Sequence, residues 1–176
     1  MSELHSELLV HADDIWRIAI RLVSDEDDAR ECYQQTFADA LRLSATAIDN
    51  WGCVLRQIAT RRAIDILRRR YRDRAVADVT VAEAIVEDAP DATLRYAELR
   101  ESVRVILARL PPRQAEAFYL RHVEQLDPAE IAASMQIQVN HVRVLVHRAL
   151  AEIRSSLPEC FQPAEINSKS AGDSDE

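Results

Sequence analysis

Residues 126–148 read Leu-Asp-Pro-Ala-Glu-Ile-Ala-Ala-Ser-Met-Gln-Ile-Gln-Val-Asn-His-Val-Arg-Val-Leu-Val-His-Arg, and the fold turns on them. Asp127 is a natural N-cap. Pro128 suits the first helical position, where a missing N–H costs nothing. Glu130 stands three residues after the cap and can reach back to the cap's own N–H. Ile131 and Ala132 open an apolar face. A second helix is expected from Val139, with Val142, Val146, Ala149 and Ile153 forming a stripe toward a core. That leaves Asn140, His141, Arg143, Val144, His147 and Arg148 outside. Polar and cationic side chains at a helix start suit entry into a DNA major groove, so the stretch predicts a helix-turn-helix. The plainer alternative is a pair of packed helices with a solvated face.

Outward from this stretch the chain continues to predict helices. Toward the C-terminus, residues after Leu157 are rich in Pro, Ser, Gly and acids, so 158–176 is expected to be a disordered acidic tail. Toward the N-terminus, residues 113–122 predict a short helix. A longer one begins near Ala92, carries Leu99, Val103, Ile106 and Leu110, and is stopped by Pro111-Pro112. Residues 75–90 are weakly patterned and read as linker. Leu4, Leu8, Ala12, Ile15, Ala19 and Leu22 predict one helix over 3–23. Ser24 is placed to cap the next helix, whose first-turn acids favour its dipole. That helix buries Ala29, Cys32, Tyr33, Thr36, Phe37, Ala40 and Leu41. After a loop over 44–50, a third helix is expected over 51–72. Leu55, Ala59, Ala63 and Ile66 face inward there, and Gln57, Arg61, Ile64 and Arg68 share an outer face.

Composition agrees with an all-α protein. The chain has 176 residues, 48% of them hydrophobic, with only 2 Gly and 6 Pro. No apolar run approaches the roughly 18 residues of a membrane span, and the N-terminus lacks a signal-peptide pattern. A cytoplasmic protein without membrane insertion is expected. Cys32, Cys53 and Cys160 form no C-x-x-C pair, so no zinc site is expected. No Gly-rich phosphate loop and no metal-ligating histidine pattern appears, so neither an enzyme nor a cofactor is expected. The net charge of −8 is unevenly spread. Residues 54–74 hold eight arginines against two aspartates, while residues 75–98 hold six acids against one arginine. Basic surface should therefore remain for a phosphate backbone.

Three stretches, in order, resemble the extracytoplasmic-function (ECF) sigma factors of the sigma-70 class. Asp28–Phe37 (Asp-Ala-Arg-Glu-Cys-Tyr-Gln-Gln-Thr-Phe) is similar to the family's D-A-x-x-x-x-Q-x-x-F helix. Residues 59–70 (Ala-Thr-Arg-Arg-Ala-Ile-Asp-Ile-Leu-Arg-Arg-Arg) are similar to its A-x-x-x-A-I-D-x-L-R-R helix end. Residues 110–121, with Glu130-Ile-Ala and His147-Arg148-Ala149, resemble its second domain. The resemblance implies two small helical domains. Residues 1–74 would hold core RNA polymerase and meet the promoter −10 element. Residues 75–94 would be a flexible acidic linker running near the polymerase active-site channel. Residues 95–157 would read the −35 element. An anti-sigma factor is the further partner implied.

Carried onto this chain, the resemblance assigns polymerase binding to Asp28, Glu31, Gln34, Gln35 and Asp39. Their shared charged face would suit a cationic coiled coil, although most such faces are simply solvated. It assigns −10 contacts to Asp49, Asn50, Gln57, Arg61 and Arg68. The 44–50 loop could receive an unstacked base, while capping the helix at Trp51 would equally occupy Asp49 and Asn50. It assigns −35 contacts to Arg113, Asn140, His141, Arg143, Val144, His147 and Arg148. The chain departs from the pattern at Gln35 (an acid), Val54 (a Trp), Arg61 (an Asn), Gln136 (a turn Gly) and Leu145 (an Arg), changes that bear on promoter sequence more than on fold. Two other functions fit the helix-turn-helix: a stand-alone DNA-binding regulator, and a sigma-like adaptor without promoter reading. The Asp28–Phe37 match favours the sigma factor.

Overall fold

The computed structural model describes residues 2–43, 48–76 and 91–157, all helical apart from short connections. In order they are α1 (Ser2–Leu9), α2 (Ala12–Val23), α3 (Glu26–Arg42), α4 (Trp51–Val76), α5 (Asp91–Arg109), α6 (Pro112–His122), α7 (Pro128–Met135) and α8 (Val139–Ser156). No strand occurs among the described residues.

Helix ends follow side-chain chemistry, with two departures from expectation. The segment 3–23 is two helices, not one. The His11 N–H turns back to Leu8 O at 3.1 Å, and α2 restarts with Asp13 and Asp14 in its first turn. The break sets His11 beside the start of α4, where a Cβ on Gly52 would lie 3.0 Å from His11 Cε1. Ser24 is not the cap of α3. It is the left-handed residue (φ 58°) that closes α2, and Asp25 takes the N-cap role. The Asp25 carboxylate accepts the Asp27 N–H at 3.1 Å and the Asp28 N–H at 3.0 Å. Those two bonds hold the Asp25 carboxyl below the usual range.

At α4 the Asn50 side chain accepts the Cys53 N–H at 3.0 Å, the capping role weighed for it above. Around α7 the expected capping box is complete. Asp127 accepts from Ala129 at 2.7 Å and Glu130 at 2.9 Å, and its own N–H reaches Glu130 at 2.9 Å. Gln136 then closes α7 in the left-handed region (φ 54°), its N–H on the Ala132 and Ala133 carbonyls.

The long helix α4 organises the packing. On one side it meets α2 and α3, where Cys32 Sγ lies 3.5 Å from Ala59 O. On another it meets α5, α6 and α7. One hydrophobic core therefore runs from Ile15 and Ile18 through Leu55, Ala59 and Ile64 to Leu107, Leu110, Tyr119 and Ile153. A second cluster joins Cys53 of α4 to Leu120, Ile131, Met135, Val142 and Leu145.

The helical units before and after residues 77–90 thus lie against each other, although the sequence pattern alone leaves their placement free. Residues 77–90, most of the expected linker, lie outside the described residues, and residues 91–94 belong to α5. The expected disordered tail, with Cys160, and residues 44–47 of the expected loop also lie outside them.

Candidate nucleic-acid interface

Helix α8 keeps its outward row free. Asn140, His141, Arg143, Val144, His147 and Arg148 are all exposed, and residues 136–151 contain no acid. Beneath them Val142, Leu145, Ala149 and Ile153 are buried. Leu145 stands where the resemblance expects an arginine. Here it roots the helix in the cluster with Ile131 and Met135.

Within the row, Arg143 donates to Asn140 Oδ1 at 3.0 Å, an exposed bond that a better acceptor can replace. Gln138 makes no side-chain cap at the start of α8, and its carbonyl takes the His141 N–H at 2.9 Å in the first turn. Arg113 is exposed but partly anchored, donating to Met135 O at 3.3 Å at the end of α7.

The −10 set is divided by the packing of α4. Asp49, Asn50 and Arg61 are exposed. Gln57 is only 9% exposed and donates to Glu116 of α6. Arg68 is half-buried and donates to Leu110 O at 2.6 Å. Ile64 is buried in the core. The reading of Gln57, Ile64 and Arg68 as an outer face is therefore corrected: Gln57 turns to α6, Arg68 to the α5–α6 connection, and Ile64 into the core. The physical reason is that α4 is covered on two sides, so the side opposite its first apolar stripe is also interior.

The acidic face of α3 is likewise engaged. Arg70 comes within 3.6 Å of Asp28, and Arg69 within 3.2 Å of Glu31. Asp39, 14% exposed at its side chain, takes Arg62 Nε at 2.7 Å and has Arg42 at 3.2 Å and Arg61 at 4.0 Å. Gln34 and Gln35 remain exposed. The sequence count of arginines over 54–74 therefore overstates the cations free for phosphate. Arg61, Arg62, Arg69 and Arg70 meet α3, and Arg56 meets Asp14 at 2.6 Å.

Reasoning from the sequence missed the polar contacts between the two helical units. Arg104 of α5 donates to Arg21 O at 2.8 Å, and Cys53 Sγ lies 3.5 Å from Glu130. Glu124 lies 3.9 Å from both Arg21 and Arg56. Burial pushes the Glu116 and Glu124 carboxyls up, against the Gln57 hydrogen bond at Glu116 and the nearby arginines at Glu124. Burial also raises the Cys32 thiol to about 12 and the Cys53 thiol to about 11, so both are poor nucleophiles. Among the described residues no group of three His, Cys, Asp or Glu could hold a metal ion. No described helix is long and apolar enough to cross a membrane.

Residues 100–153 match the family model described as "Sigma-70, region 4". The chain is 30% identical over 157 residues to the RNA polymerase sigma-E factor of Streptomyces coelicolor, covering 88% of this chain and 86% of that protein. It is 29% identical over 153 residues to the ECF RNA polymerase sigma factor SigE of Mycolicibacterium smegmatis, covering 84% of this chain but 58% of that longer protein. In fold it is similar to the sigma factor RpoE of Bartonella quintana, solved in complex with the anti-sigma factor NepR. That match has a TM-score of 0.52 at 19% identity and covers 89% of this chain and 97% of the other.

Proposed function

The chain belongs to the extracytoplasmic-function RNA polymerase sigma factors, and from that premise we propose that it binds core RNA polymerase and directs it to selected promoters. The observation that carries this reading is the outward row of α8, polar and cationic, free of acids and rooted by a fully packed inner face. In this role residues 95–157 read the −35 element, with Arg143 at a base edge and Arg148 at phosphate. Residues 1–74 hold polymerase through α3 and meet the −10 element, and residues 75–94 connect them. The chain acts as an initiation factor in the cytoplasm, without catalytic residues of its own.

The packing adds a requirement. Asp49, Asn50 and Arg61 are reachable as the molecule stands, whereas Gln57 and Arg68 are covered by α5 and α6. Full −10 engagement then needs the C-terminal helices to leave α4. An anti-sigma factor, the kind of partner held by the Bartonella protein, would act by gripping the packed arrangement. The test is co-purification with core polymerase followed by run-off transcription. Retention of polymerase with promoter-dependent transcripts is expected. Duplex binding without any retention of polymerase would favour the stand-alone regulator instead.

A further inference from the structure

A groove of about 890 Å³ opens between α5, the start of α6 and the outer flank of α8. Val105, Ile106 and Leu110 form its floor, and Arg109, His147 and Arg148 stand on its rim with one acid, Glu152. Ser155 and Ser156, the last residues of α8, line its far end. The chain therefore leaves its last helix at the mouth of a groove that is apolar below and mainly cationic above. Beyond Leu157 the sequence supplies the complementary pattern: Phe161 and Ile166 among Glu159 and Glu165, with five acids against one lysine over 158–176.

We propose that this groove is the docking site of the chain's own C-terminal segment, residues 158–166, and that the docked segment covers the groove side of the −35 row. Reach supports it. His147 to Ser156 spans about 14 Å along the helix, and an extended chain retraces that in about four residues at roughly 3.3 Å each. With the residues next to Leu157 spent on reversing direction, the stretch from Phe161 to Ile166, four to nine residues on, spans that return and brings an apolar side chain to the floor, with Glu159 and Glu165 in range of the rim arginines. Tethering gives the segment an effective concentration on the order of millimolar, so modest contacts suffice. Because His147 and Arg148 belong both to the groove and to the outward row, the segment and DNA compete. The docking stands without the promoter reading; only the competition rests on it.

The test uses the full chain and charge-matched variants. Glu159→Lys with Glu165→Lys alters the docking segment. Asp173→Lys with Asp175→Lys makes the same charge change beyond it. Amide spectra of the first variant should show shifts clustered at Val105, Ile106, Leu110 and Ala151, reproduced by Arg109→Glu and absent from the distal control. A mixed-sequence duplex should bind the first variant about fivefold more tightly than the distal control, the lower end of ordinary coupling between sites. Unchanged groove resonances in the proximal variant would overturn the docking. So would groove shifts that depend on protein concentration, which would give the groove to a second copy. Groove shifts with equal duplex affinities would leave the docking standing and remove the competition with DNA.

Discussion

Replacing Asp39 with alanine separates two roles for the acidic face of α3. If Asp39 serves mainly to receive polymerase, its loss leaves the free protein as stable as before. The structure places it instead as the hub between α3 and α4, with Arg62 Nε at 2.7 Å, Arg42 at 3.2 Å and Arg61 at 4.0 Å. The Arg62 bond is charge-assisted and two-thirds shielded from water, Arg62 being 33% exposed and Asp39 14%. Such a bond contributes about 1.5–3 kcal/mol. Arg42 and Arg61 are more exposed, at 77% and 49%, and add little after solvent screening. Asp39→Ala should therefore cost about 2 kcal/mol. For a chain of this size that lowers the melting temperature by roughly 4–8 °C. Gln35→Ala, at an exposed neighbour, should stay within about 0.5 kcal/mol. Thermal unfolding followed by circular dichroism at neutral pH reads both. Equal melting temperatures for Asp39→Ala and the unmutated chain would refute the packing role.

Other outcomes follow from the same geometry. Gln136→Gly should stabilise the protein by about 0.5–1 kcal/mol, because Gln136 holds a left-handed φ of 54° that glycine adopts freely; a lower melting temperature would contradict this. Glu116 and Glu124 have carboxyls raised above the ordinary 4.5, so their contribution is fully present below that value and is lost as pH rises through the raised ones. Glu116→Gln should accordingly flatten the decline in stability above about pH 4.5, as measured by denaturant unfolding across pH; an unchanged slope would count against a buried, protonatable Glu116. Arg143→Ala should lose roughly 1–3 kcal/mol on the preferred −35 duplex and relax discrimination there, whereas Arg148→Ala should reduce the salt slope of binding by about one. Titrations of holoenzyme on matched and scrambled duplexes at several salt concentrations distinguish the two.

What the sequence made legible is the local chemistry. Asp127, Pro128 and Glu130 build the capping box they spell. Pro111-Pro112 ends one helix and starts another, and the outward row of α8 is the row its periodicity gives. Periodicity failed where a helix is covered twice. In α4 the stripe of Leu55, Ala59, Ala63 and Ile66 implies an outer face opposite, yet Gln57 and Ile64 are buried there and Arg68 spends its guanidinium on a carbonyl. Only the tertiary partner shows this, since an arginine's aliphatic stem can lie along a packed interface. Charge counting failed for the same reason. The arginines of 61–70 and the acids of α3 are far apart in sequence, and each looks free until the helices are set side by side. Leu145 was legible only as a departure from a family pattern, and its burial explains it.

In the proposed function the chain gives polymerase a promoter preference, and α8 reads the −35 part of it. Fragmented genomic DNA transcribed by core polymerase, with and without the full chain, measures this directly when the start sites are sequenced. The starts should depend on the chain and share −10 and −35 elements, and Arg143→Ala should alter base preference in the −35 element alone. Starts without a common upstream element, or an Arg143→Ala pattern identical to that of the unmutated chain, would contradict it.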